Sequence, residues 1–352
     1  MIHKFFSKNS ELYSSMLEDI GNAQKYVYLE TYNFSNDEIG EKFRDKLIGT
    51  TRRGVEVKIL CDDFGSKANK KFFKELTAVG GKVKFFRKFR LSFRIIRKNN
   101  HRDHRKLLVI DDKISYIGSS NITKDNLKWR DSNLRLEGKI AQEFKSAFLK
   151  NYSIAHKYIF IRRDHIKPFI FDDFVIQRDV PSIKFRRIQK KHLELIKKAR
   201  KKIIIETPYF LPDWKLRRGL KKAVEKGVEI IIMLPNNSDI KLIDILRQKY
   251  FGQLYEHGIK IMFYRPEILH SKCLVVDDKY FSIGSANLDY RSSMHQFEIN
   301  LFGQDTAIIN ELKNFFEEGL KKCEPFCYQT WLDRSKLQKM LENILISIRY
   351  LF

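Results

Sequence analysis

Two hydrophobic periods succeed one another along this chain, and the same succession occurs twice. In the first occurrence a nearly continuous apolar run, YVYLETYNF (Tyr26 to Phe34), reads as a buried strand; Ile39, Phe43 and Leu47 then recur at helical spacing, and RRGVEVKILCDD reads as the next strand. In the second, IIIETPYF (Ile203 to Phe210) precedes Leu216, Leu220 and Val224 on one helical face, followed by EKGVEIIIMLPNN. Glu30-Thr31 answers Glu206-Thr207, Gly54-Val55 answers Gly227-Val228, and GGKVKFF from Gly80 answers HGIKIMF from His257. Alternation of strand and helix through both copies predicts an α/β fold of two tandem halves, each a mostly parallel sheet flanked by helices. The halves are expected over residues 1–160 and 161–352, packed about a pseudo-twofold axis, because the segment from about 155 to 185 breaks the repeat without a low-complexity linker.

Two stretches depart from the repeat. Phe89, Leu91, Phe93 and Ile95 alternate with Arg90, Ser92 and Arg94, the period of an extended segment with one apolar and one basic face; an edge strand and a lipid-contacting flap both fit it. Near the C-terminus, Leu337, Met340, Leu341, Ile344, Leu345 and Ile348 form a helical stripe, expected to pack on the core, with membrane contact as the second reading.

Composition narrows the partners. The 352 residues include 68 Lys and Arg against 43 Asp and Glu, a formal charge of +25, which favours polyanions: nucleic acid or an anionic membrane. No apolar run approaches the roughly 18 to 20 residues that span a bilayer, and the first residues lack the apolar centre of a signal peptide. A soluble or peripheral, cytoplasmic protein is therefore expected. Cys61 and Cys273 lie in apolar strand-like runs, and Cys323 and Cys327 lack companion ligands, so no metal and no cofactor are expected.

The candidate chemistry is duplicated as well. His104, Lys106 and Asp111 form His-x-Lys-x4-Asp ahead of Gly118-Ser119-Ser120-Asn121; His270, Lys272 and Asp277 repeat it ahead of Gly284-Ser285-Ala286-Asn287. Residues two apart on a strand share a face, so each His and Lys point together, whereas Asp111 and Asp277 have the opposite parity and begin Asp-Asp-Lys turns. Those aspartates complete the motif, but they are read as fixing a hairpin. The Gly-Ser-x-Asn turns offer backbone N–H groups together with Ser119, Asn121, Ser285 and Asn287 as phosphate-binding groups. Asp131 and Glu298 follow the histidines by 27 and 28 residues, each with an asparagine two positions on (Asn133, Asn300), and suit a carboxylate that orients an imidazole. Displacement at a phosphodiester needs a nucleophile, a general acid and fixed positive charge. Two histidines and two lysines supply all three without a metal.

The HRK(x4)D/GSSN and HSK(x4)D/GSAN blocks resemble those of the phospholipase D superfamily with its two HKD motifs. With the flanking YLETYNF, WRDSNLRLEG, IETPYFLPD and NLDYRS blocks, the chain is most similar to its bacterial cardiolipin synthases. The resemblance implies phospholipase D-like halves and transfer of a phosphatidyl group from one phosphatidylglycerol to another through a phosphohistidine, with release of glycerol. It also implies His104 as nucleophile and His270 as acid and base. Cardiolipin synthases of this type commonly begin with transmembrane helices, whereas this chain opens in the catalytic repeat. The expected partners are thus an anionic phospholipid membrane, bound peripherally at the inner face of the cell membrane, and phosphatidylglycerol or a related lipid. Hydrolysis by a phospholipase D is the alternative; an HKD nuclease is disfavoured by the flanking blocks.

Overall fold

The computed structural model describes residues 2–86, 101–155, 166–182 and 184–351. The alternating segment at 89–96 and the 160/161 boundary lie outside the described residues. In chain order the strands of the first sheet are β1 (Ile2–Phe6), β2 (Tyr26–Thr31), β3 (Glu56–Asp62) and β4 (Lys82–Phe86). After β5 (Arg102–Asp103) come β6 (Leu107–Ile110), β7 (Ile114–Gly118) and β8 (Asn133–Glu137). The second sheet contains β9 (Phe169–Phe171), β10 (Phe174–Asp179), β11 (Lys202–Glu206), β12 (Glu229–Pro235) and β13 (Lys260–Tyr264). It is completed by β14 (Cys273–Val276), β15 (Tyr280–Gly284), β16 (Gln296–Gly303) and β17 (Cys323–Pro325).

The sheet orders are β1-β8-β7-β6-β2-β3-β4 and β17-β13-β12-β11-β14-β15-β16-β10-β9, with β5 added in parallel to β16. Within these orders β2-β3-β4 and β11-β12-β13 run parallel, whereas β6-β7-β8 and β14-β15-β16 meander antiparallel beside them. The expectation of mostly parallel sheets is therefore corrected to two mixed sheets. A helical crossover of a dozen or more residues joins parallel strands, but the tight turns after each His-x-Lys strand can only reverse the chain. A further correspondence extends the repeat: β1 pairs β8 and precedes a helix at Asn9–Asn22, just as β10 pairs β16 and precedes a helix at Arg187–Lys198.

Apolar periodicity decides which faces are covered. Ile39, Phe43 and Leu47 are buried in the helix Glu38–Arg52, where Asp37 caps two N–H groups, and Leu216 and Leu220 are buried in the helix Trp214–Val224, capped by Asp213. These helices cover the outer faces of the two sheets. The inner faces share one core: Leu107, Val109 and Leu134 of the first sheet join Val275, Phe281 and Ile299 of the second, with Phe144 and Phe148 of the helix Ile140–Ile154 and Phe315 and Phe316 of the helix Thr306–Leu320. A shared core makes the relative placement of the halves a packing decision, which the site then uses.

The C-terminal stripe behaves differently from its expected core role. In the helix Lys336–Ile346, Leu337, Met340, Leu341 and Ile344 face outward, as does Ile348 beyond it, while Leu345 and Ile346 pack against the second core. The buried face is anchored by a carboxylate, Glu342, which pairs with Arg334 at 2.8 Å.

Candidate active site

Each histidine is carried into the opposite half. Arg102 and Asp103 of β5 pair in parallel with Gln296 and Phe297 of β16, and the His104 N–H continues the ladder to the Phe297 carbonyl at 3.0 Å. On the other side, Leu269 bridges Arg130, whose carbonyl accepts from the N–H groups of His270 (2.8 Å) and Ser271 (2.9 Å). Two arginines clamp these crossings. Arg105 donates to the Glu298 and Asp179 carbonyls, while Arg130 is paired with buried Glu206 at 2.8 Å.

The result is an exchange of partners. Nδ1 of His104 lies 3.0 Å from Glu298 of the second half, and Nδ1 of His270 lies 2.8 Å from Asp131 of the first. Both carboxylates are fully buried. With Nδ1 held by a carboxylate, Nε2 is the ring nitrogen left for chemistry. Tyr32 meets the His104 ring edge-on with centroids 5.1 Å apart, and Trp129 lies 5.0 Å from His270, so an aromatic side chain flanks each imidazole.

The serines and backbone amides of the Gly-Ser-x-Asn turns are bound within the protein instead of being left for phosphate. Ser119 donates to Asp131 at 2.6 Å, and Ser285 donates to Glu298. Ser119 N–H and Ser120 N–H go to the Ser132 carbonyl and Asn133 Oδ1; Ser285 N–H and Ala286 N–H go to the Ile299 carbonyl and Asn300 Oδ1. The turns thus brace the carboxylates. This close approach explains their glycines, since a Cβ at Gly118 or Gly284 would overlap the backbone and the asparagine of the neighbouring strand. Asn121 accepts the Asn33 N–H through Oδ1, whereas the buried Oδ1 of Asn287 has no hydrogen-bond partner among the described residues.

Lys106 and Lys272 lie buried beside the histidines, each donating to the carbonyl of the histidine two residues earlier. Burial, with repulsion from Lys272, draws Lys106 down to about 7; burial alone draws Lys272 down to about 8, against the opposing pull of Asp131 and Glu298. Burial, then Lys106, Lys272 and His270, push His104 well below its ordinary range; burial and Lys272 lower His270, against the opposing pull of Asp131. The carboxylates differ. Burial raises Glu298 to about 8, whereas His270, Lys272 and Ser119 outweigh burial and hold Asp131 well below the carboxylate range. Asp131 also receives Nδ2 of Asn9 and of Asn126, each at 2.9 Å, so four donors fix its charge.

Asp111 and Asp277 have other work. Asp111 and Asp112 take φ of 55° and Asp277 and Asp278 φ of 53° and 54°, a left-handed pair opening each three-residue hairpin connection, a conformation that Asp tolerates better than most residues. Asp111 accepts the N–H groups of Gln24, Lys25 and Tyr26 at the entrance of β2, and Asp277 those of Arg200, Lys201 and Lys202 at the entrance of β11.

Asn9, Tyr32, Trp129 and Arg291 were not singled out from the sequence. Trp129 stands two residues before Asp131, a usable signal, but nothing in the sequence joins Asn9 to a residue 122 positions away. Arg291 bears electrostatically on both His104 and Tyr32, and its buried Nε has no hydrogen-bond partner among the described residues.

The family model described as "Cardiolipin synthase, PLD-like domain" matches residues 16–152 and 192–320. The chain is 33% identical to the major cardiolipin synthase ClsA of Bacillus subtilis over 94% of its own length and 71% of that protein. It is equally identical to a cardiolipin synthase of Clostridium perfringens, over 98% of this chain and 75% of the relative. Among solved structures, the fold is similar to phosphatidylserine synthase of Haemophilus influenzae, with a TM-score of 0.77 over 99% of this chain and 95% of that one at 14% identity. A polyphosphate kinase from Porphyromonas gingivalis aligns with a TM-score of 0.65 at 12% identity, over 99% of this chain and 53% of that chain.

Proposed function

Because this chain belongs to the family of phospholipase D-like cardiolipin synthases, we propose that it transfers a phosphatidyl group from one phosphatidylglycerol molecule to another, releasing glycerol. It is an enzyme, a phosphatidyltransferase of cardiolipin synthase type acting on phospholipid. The observation that carries the catalytic reading is the exchanged pairing of His104 with Glu298 and His270 with Asp131.

In the proposed course, Nε2 of His104 attacks phosphorus and the bond from phosphorus to the departing glycerol oxygen breaks. His270, as imidazolium, gives that oxygen its proton and glycerol leaves. The neutral His270 then takes the proton of a hydroxyl on the second phosphatidylglycerol, whose oxygen displaces His104 and forms the new diester. Lys106 and Lys272, with Asn121 and Asn287, hold the non-bridging oxygens. The division of roles follows the carboxylates: the fixed charge of Asp131 favours an imidazolium at His270, the form required of the acid. His104 is nucleophilic when the pair it makes with Glu298 keeps a single proton, on Nδ1.

Among the described residues no helix is long and apolar enough to cross a membrane. Peripheral residence at the inner face of the cell membrane is the reading that the +25 charge supports, since each Lys or Arg near an anionic surface contributes about 1 kcal/mol. Incubation of the purified protein with phosphatidylglycerol vesicles tests the function. Cardiolipin and glycerol in equal amounts are expected; phosphatidic acid without cardiolipin would replace transfer by hydrolysis.

A further inference from the structure

We propose that a basic cavity beside the helix Tyr290–His295, together with the outward face of the C-terminal helix, docks the protein on anionic phospholipid of a bilayer surface. This rests on the lipid reading above and gives it a place on the molecule, separate from the two histidines.

The cavity has a volume of about 560 Å³. Lys215, Arg217, Lys249 and Arg349 line it, and among the described residues no carboxylate lies within ion-pair distance of these four. The one acidic lining residue, Asp213, is committed to Arg186 at 2.9 Å and to the N–H of Leu216 that it caps. Arg217 lies over Tyr250 at 4.8 Å and Arg349 over Tyr350 at 4.3 Å, contacts that hold the guanidinium groups without cancelling their charge. At the edge stands Trp214, 55% exposed. Concentrated positive charge with an indole at the rim is the chemistry that recognises a phosphodiester headgroup at a membrane interface.

The neighbouring helix supplies the apolar half. Leu337 (62% exposed), Met340, Leu341 and Ile344 (57% exposed) recur at helical spacing on its outer side, continued by Ile348. Ile346 and Tyr350 of the same segment line the cavity, so stripe and cavity are contiguous. Glu342, Leu345 and Ile346 fix the opposite face to the protein, which leaves the apolar side presented outward. Charge chooses the occupant: a second copy would bring its own +25 against these cations, whereas an anionic bilayer offers phosphate to the cavity and acyl chains to the stripe. The cavity also adjoins the reaction. Tyr290 and Met294 line it from the helix that begins after Asn287 and Asp289, and Arg291 on another face of that helix acts on His104.

Co-sedimentation with vesicles tests the proposal, using equal phosphatidylglycerol and phosphatidylcholine in one arm and phosphatidylcholine alone in the other. Two variants, Lys215→Glu with Lys249→Glu and Leu337→Asp with Ile344→Asp, are each expected to weaken binding to the anionic vesicles by about tenfold or more, with circular dichroism showing both folded. Binding of both variants within about twofold of wild type would overturn it, as would a dimer that dissociates in the Leu337→Asp, Ile344→Asp variant while vesicle binding stays unchanged. Transfer on detergent-dispersed phosphatidylglycerol is measured beside it. An inactive wild type sinks the functional reading, whereas vesicle binding untouched by the substitutions sinks only the docking site.

Discussion

Asp131 and His270 come from opposite halves of the chain, 139 residues apart in sequence, and meet at 2.8 Å with the carboxylate fully buried. His104 and Glu298 repeat the exchange. Neither half alone can orient its own histidine, so one active centre per chain is a consequence of how the halves pack.

Asp131→Asn and Glu298→Gln keep the shape of the orienting group but remove its charge. Each is expected to lower kcat by about 10²- to 10⁴-fold, the range of positioned acid–base catalysis. KM and circular dichroism should change little. A merely structural role would instead lower the melting temperature with kcat nearly intact. Steady-state kinetics on phosphatidylglycerol beside thermal melts distinguishes the two.

The pH profile of kcat/KM should be bell-shaped with its maximum between about 7 and about 8. Glu298 is raised, so the nucleophilic form of His104 is present above about 8 and declines as pH falls through that value. Lys106 and Lys272 are lowered to about 7 and about 8, so their positive charge in the free enzyme is present at low pH and lost as pH rises. The productive form is thus a minor one that is most populated between the two limbs. A profile flat from pH 6 to 9 would contradict this assignment.

Asp111→Ala removes the acceptor of three backbone N–H groups at the mouth of β2. Leaving them to partial solvation is expected to cost about 1–3 kcal/mol of stability, read as a lower midpoint in urea. The kcat of the folded fraction should stay within a few-fold of wild type. A variant with unchanged stability and no activity would mean that Asp111 takes part in the chemistry.

Much of this arrangement was legible because the chain states it twice. Helical spacing at Ile39, Phe43 and Leu47 located a core face, and two His-x-Lys frames with matched Gly-Ser-x-Asn turns located the residues that the fold brings together in the candidate site. Parity separated Asp111 from His104 and Lys106, because side chains alternate across a strand. What escaped is what depends on packing between distant segments. The spacing of 27 and 28 residues identified Asp131 and Glu298 but carries no information on which histidine each would meet. Ser119 offers the same hydroxyl to a carboxylate as to a phosphate, and only the buried Asp131 beside it decides between them. The stripe at Leu337 and Ile344 has the period of a core face, but Leu345 and Ile346 on the adjoining face satisfy the packing and turn the stripe outward.

The central claim, that His104 forms the covalent bond while His270 moves the proton, is tested most directly with a phosphatidyl ester of 4-nitrophenol, whose leaving group needs no acid. The His270→Ala variant is expected to release about one equivalent of nitrophenol per enzyme and then stall, with intact mass and peptide mapping finding the phosphatidyl group on His104. His104→Ala should give no burst. A burst from His104→Ala with the adduct on His270, or none from His270→Ala, would contradict the account.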